Sequence, residues 1–199
     1  MRRTVLLMLM IGASCLLAAS DKVTKTERAD LPAGGTVVFR NSTGELTIEG
    51  WDQPGVEITT IESAPGAKVS TALEGNDLVI ATEFPKRKRL DLEYLVKVPR
   101  NAKLVVEHHA GEIHFDDVAG DIHATLIQGQ ITLRLPEGQY GIDAKSRIGD
   151  VISDFPGARK RQHLGHAFLQ DAQAAHSLYL RNGFGDILIL REHTGVASK

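Results

Sequence analysis

Four histidines, His108, His109, His114 and His123, fall within sixteen residues of a 199-residue chain. Imidazole is the commonest metal ligand, and a zinc site needs three or four donors converging at ~2.0 to 2.3 Å on one point. His114 and His123 each stand three places after a glycine, in GEIHF (111 to 115) and GDIHA (120 to 124). Successive strand side chains alternate between faces, so inward-pointing Ile113, Phe115, Ile122 and Ala124 would leave the imidazoles on the outer face. Only His108 or His109 could approach His114, which is too few donors. The four are read as outward strand histidines, with no metal expected.

Carboxylates are the next candidates. Glu112, Asp121, Asp150 and Asp186 each follow a glycine directly. Calcium-binding nonapeptide repeats also carry acids near glycine, but in a Gly-Gly-x-Gly-x-Asp corner that occurs nowhere in this chain. The expected role is to cap corner amides, as Asx turns do. Asp116 and Asp117 are adjacent, so they point apart and cannot flank one bond as a catalytic pair must. No nucleophile elbow, phosphate-cradling loop or His-Glu-x-x-His helix is present. The reading is non-enzymatic: no catalytic residue, no cofactor-binding residue, no metal ligand and no cofactor.

Two basic runs, KRKR at 86 to 89 and RKR at 159 to 161, could meet an anionic partner such as lipid headgroups or acidic glycans. Pro85 and Pro156 precede them, as expected of solvated hairpin loops. Trp51, the lone tryptophan, lies in EGWDQPG, where Gly50, Pro54 and Gly55 make a corner. It is read as the anchor of that turn, with a ligand-stacking platform as the alternative.

The elements that would position these groups are set by glycine. The pieces GTVVF, GELTI, GEIHF, GDIHA, GQITL, GQYGI, GDVIS and GDILI begin at residues 35, 44, 111, 120, 129, 138, 149 and 185. The spacing is nine from Gly35 to Gly44 and nine through the run from Gly111 to Gly138. In nearly every piece the second and fourth residues after glycine are apolar, a period of two that buries one strand face. Glycine supplies the corner, where positive φ or close approach of neighbouring chain excludes a Cβ.

Units of this kind bury their apolar faces by stacking, which predicts an all-β protein with very little helix: a β-solenoid, or β-helix-like repeat, with two nine-residue units, about eighteen residues together, completing a coil. In that arrangement His114 stacks near Thr132 rather than His123. An antiparallel β-sandwich is the alternative. The segment 166 to 180 is read as an excursion that returns to a strand at Ser177 to Leu180.

The chain opens MRRT and continues VLLMLMIGASCLLAAS, the layout of a signal peptide over 1 to 20, with cleavage expected before Asp21. The apolar run is shorter than the ~20 residues of a membrane-spanning helix, and no later stretch approaches it. The minority alternative is lipid anchoring through Cys15, the single cysteine. Residues 21 to 199 then form one exported domain without disulfides, periplasmic or secreted. The whole chain has 23 Lys and Arg against 25 Asp and Glu. Loss of Arg2 and Arg3 shifts its net charge from −2 to −4, which argues against a nucleic-acid partner.

The stretches LPAGGTVVFRNSTGELTIEGWDQPGVEITT (31 to 60), YLVKVPRNAKLVVEHHAGEIHFDDVAGDIHATLIQGQITL (94 to 133) and LYLRNGFGDILIL (178 to 190) resemble the bacterial "putative adhesin" family of unknown function, also called toastrack domains. The resemblance covers nearly all of the exported chain and departs between Pro156 and Ala175. It implies a β-helix-like domain outside the cytoplasm with no established catalytic residue to carry over. The expected function is a surface or envelope binding module, adhesion-like, whose partner is an envelope component, a glycan or a protein. Envelope-stress sensing is the alternative that related toastrack domains imply. Exposed terminal coils leave self-association open.

Overall fold

The structure, a computed structural model, describes residues 22–62, 66–84, 92–161, 165–169 and 173–192. The signal segment, Cys15 and the basic run at 86 to 89 lie outside the described residues. All the regular elements described are strands: β1 (Val23–Ala29), β2 (Thr36–Trp51), β3 (Val56–Glu62), β4 (Lys68–Glu74), β5 (Asp77–Glu83), β6 (Leu92–Pro99), β7 (Lys103–Asp116), β8 (Ile122–Leu135), β9 (Tyr140–Ile148), β10 (Val151–Ser153), β11 (Arg159–Arg161), β12 (His166–Leu169), β13 (His176–Phe184) and β14 (Ile187–Arg191). The protein is all-β, and its sheet does not close on itself.

The main path runs β1-β3-β6-β2-β7-β8-β13-β9-β12-β11. Its middle is parallel: β2 with β6 and β7, β7 with β8, and β13 with both β8 and β9. The ends are antiparallel, through β1, β3 and β6 on one side and β9, β12 and β11 on the other. The spatial repeat joins Gly111 to Gly129, eighteen positions apart, with His114 opposite Thr132, as the eighteen-residue coil predicts. One feature differs from a stack built in chain order: the strand β13 inserts between β8 and β9. Gly120 serves a different corner, where an added Cβ would overlap the carbonyl of Ala102.

A glycine corner inverts the alternation, and this is why the long strands have one continuous interior. In β7, Leu104, Val106 and His108 are buried before Gly111, and Ile113 and Phe115 after it. The buried set is even-numbered on one side and odd-numbered on the other. In β8 the same shift occurs at Gly129, from Ile122, Ala124 and Leu126 to Ile131, Leu133 and Leu135. The two arms therefore turn the same face inward although the chain bends between them.

The corners stack on each other. A methyl group on Gly111 would overlap the carbonyl oxygen of Gly44, and one on Gly129 would overlap that of Gly111. Both glycines also have positive φ, 120° and 136°, where an L side chain is disfavoured twice over. Gly185 lies against Gly129 in the same way, and Gly149 against Gly185. The core is the row of aliphatic and aromatic side chains enclosed by the two arms, including Phe39, Leu46, Tyr94, Phe115, Ile131 and Ile189, all fully buried.

Candidate functional site

Two or three residues before the corner glycines, the inward position carries a polar side chain in several strands. Registered across β2, β7, β8, β13 and β9, this line reads Ser42, His108, Leu126, Asn182 and Ser146. His108 Nε2 lies 3.0 Å from Gly44 O, Asn182 Nδ2 donates to Gly129 O at 2.8 Å, and Ser146 Oγ donates to Gly185 O at 2.7 Å. Each of these three side chains thus bonds the corner carbonyl of the neighbouring strand, so that this buried acceptor is satisfied.

His108 is the residue that departs from the expected outward placement. It is 2 % exposed, and its Nδ1 is 2.7 Å from Ser42 Oγ, itself 1 % exposed. Donation of Nε2–H to Gly44 O leaves Nδ1 to accept from the Ser42 hydroxyl, so the ring is the neutral Nε2–H tautomer. Burial holds its pKa down at about 4, against the weaker upward pull of backbone carbonyls. The pair has the elements of a nucleophile and a base, yet it is sealed in the interior and spent on the corner. His109, His114 and His123 do lie on the outer side, with His114 Nε2 3.1 Å from Glu112 Oε2. Among the described residues, the histidines and carboxylates form no cluster of three or more that could hold a metal ion.

Two of the four acids that follow a glycine cap amides, while Glu112 contacts His114. Asp186 Oδ1 accepts from the backbone of Asp150 at 2.8 Å, and Asp121 Oδ1 accepts from the backbone of Ser177 at 2.8 Å. Asp116 and Asp117 point apart, toward Arg134 and Arg100 respectively. Asp117 has φ of 56°, the one positive value at a described non-glycine residue. Trp51 donates Nε1–H to Gly55 O at 3.2 Å, fastening its own turn, and Lys97 Nζ lies 5.8 Å from its ring. Beside it Arg28 donates twice to Glu57, which lowers the Glu57 pKa.

Residues 159 to 161 form β11, one arm of a hairpin with β12 rather than its loop. They border a set of side chains that sequence reasoning missed. On the outer face of β8, β13, β9 and β12, one cross-strand row is His123, Tyr179, Asp143 and Phe168, and the next is Thr125, Arg181, Lys145 and His166. The His123 and Tyr179 rings are 4.4 Å apart, and the Arg181 guanidinium lies 3.7 Å from the Tyr179 ring centre. Arg181 Nη2 donates to Asp143 Oδ2 at 2.7 Å, and His166 Nε2 is 3.2 Å from Asp143 Oδ1. The Arg181 bond and charge hold the Asp143 carboxyl below its usual range. The signal was available: alternation from buried Leu178 and Leu180 turns Tyr179 and Arg181 outward.

The chain is similar to a solved structure of a putative cell adhesion protein from Clostridium sporogenes, at 14 % identity and a TM-score of 0.54, covering 86 % of this chain and all of that one. It is also similar to a putative adhesin from Parabacteroides merdae (14 % identity, TM-score 0.34, 66 % of this chain and 60 % of that one). A putative adhesin from Bacteroides fragilis shows 8 % identity and a TM-score of 0.33, with 86 % and 98 % covered. The first likeness is one of fold. That fold is of the all-β kind implied by the family that the glycine-spaced strands resemble in sequence. No family profile matches the chain, and no curated protein matches it in sequence.

Proposed function

We propose that this chain is a non-enzymatic, exported envelope protein that works as a binding surface, adhesion-like in role. The observation that carries the reading is the outer face of the parallel strands, where side chains stand in straight rows on a rigid aliphatic core. The groups best suited to acid–base chemistry, Ser42 and His108, are consumed by the interior. A surface of this kind recognises by display, since strand register fixes the spacing of what it presents.

The test is binding of the purified chain, residues 21 to 199, to whole cells and isolated envelope fractions, read by sedimentation with quantitative blotting. Saturable retention is expected. Absence of retention on every fraction, with the protein folded by circular dichroism, overturns the proposal.

A further inference from the structure

The structure assigns the outer face of β8, β13, β9 and β12 as a binding platform for an acidic polysaccharide; this rests on the binding-surface reading and names its ligand class. Tyr179 and Phe168 are 39 % and 44 % exposed, although large rings usually find cover. They share one row with exposed His123: the His123 and Tyr179 rings are on adjacent strands, and Phe168 stands beyond Asp143 of β9 on the same face. Tyr179 packs against the tilted His123 ring and carries the Arg181 guanidinium over one ring face, and Arg181 is fixed in turn by Asp143. The ring therefore loses little freedom on binding, which favours affinity.

Charge selects the ligand. Asp143, the acid within the row, is engaged by Arg181 and His166. Lys145 and Arg147, both exposed on β9, have no acidic partner among the described residues. Glu107 of β7, opposite Thr125, and Asp121, two residues before His123 and bonded to Ser177, are acids at the other margin. Flat rings beside free cations suit a chain of sugar rings that carries carboxylates or sulfates. Its apolar ring faces lie on aromatic side chains while its acids meet Lys145 and Arg147. Neighbouring strands stand ~4.8 Å apart, so the platform offers its groups at even intervals to an extended polymer.

The experiment measures binding of residues 21 to 199 to polygalacturonate, to neutral dextran and to phosphatidylglycerol vesicles, by biolayer interferometry at low and moderate salt. Polygalacturonate is expected to bind with an affinity that falls as salt rises, dextran and vesicles at least about tenfold more weakly. Tyr179→Ala and Lys145→Glu should each weaken polygalacturonate binding at least about fivefold. Lys68→Glu, the same charge change on β4, should not. Melting curves confirm that the variants fold; Lys145→Glu alters an exposed side chain and keeps the test decisive if Tyr179→Ala does not. Equal loss in Lys68→Glu and Lys145→Glu, preference for vesicles, or no polygalacturonate binding by protein that still binds envelope fractions overturns the platform. Loss of all envelope binding overturns the underlying function instead.

Discussion

His108 links burial to acid sensitivity. Its folded pKa is about 4, against ~6.5 for a free imidazole, so between these values the unfolded chain takes up a proton that the folded one refuses. The sign follows: the contribution to stability is whole above about pH 6.5 and is lost as pH falls toward 4, by about 3 kcal/mol in all. Urea titrations from pH 7 to 4 should show this slope, and His108→Gln, whose amide can still reach Gly44 O, should show a shallower one. An identical pH dependence in the two proteins would refute the assignment. Ser42→Ala removes the donor to His108 Nδ1 and should cost about 1 to 3 kcal/mol at pH 7, read from the same titrations. The inward position of His108 was legible in the sequence from Leu104 and Val106. Counting from Gly111 backward hid it, because the corner inverts the parity.

At the scale of the element, the corner is a contact between glycines of successive strands, and the two demands on glycine can be separated. Gly129 has positive φ and lies against the carbonyl of Gly111, whereas Gly75 has positive φ (66°) with open space where a Cβ would be. Gly75→Ala should cost about 1 to 2 kcal/mol, the ordinary penalty of a left-handed L residue. Gly129→Ala must also displace the adjacent strand and should cost more than about 3 kcal/mol. Chemical denaturation of both variants measures the difference, and equal losses would show that close approach contributes nothing. The inward residues Ile113, Phe115, Ile131, Leu133, Ile187 and Ile189 were legible because period two survives within each arm. That Gly120 serves a different corner from Gly111 and Gly129 was legible in the eighteen-residue coil. Tyr179 and Phe168 carried no repeat at all: the outer face is free of the packing rule that makes an interior periodic.

For the whole molecule, chain order did not reveal spatial order. The insertion of β13 between β8 and β9 is decided by the match of entire rows, Leu178 and Leu180 lying between Ile122 and Ala124 on one side and Ile142 and Ala144 on the other. Such pairing joins segments far apart in sequence, and it makes the interior one body, with Phe115 of β7 between Ile48 of β2 and Leu133 of β8. A cavity there should weaken the entire sheet together. Phe115→Ala is expected to cost about 3 to 5 kcal/mol, and for a domain of this size to lower the melting temperature by roughly 10 °C. Trp51, at the end of β2, reports one place by fluorescence, while far-ultraviolet circular dichroism reports all the strands. In both the parent and the variant the two signals should melt at one temperature. A variant in which the β2 end melts apart from the rest would show that the rows on either side of Phe115 are separate cores, and the single continuous interior would have to be abandoned.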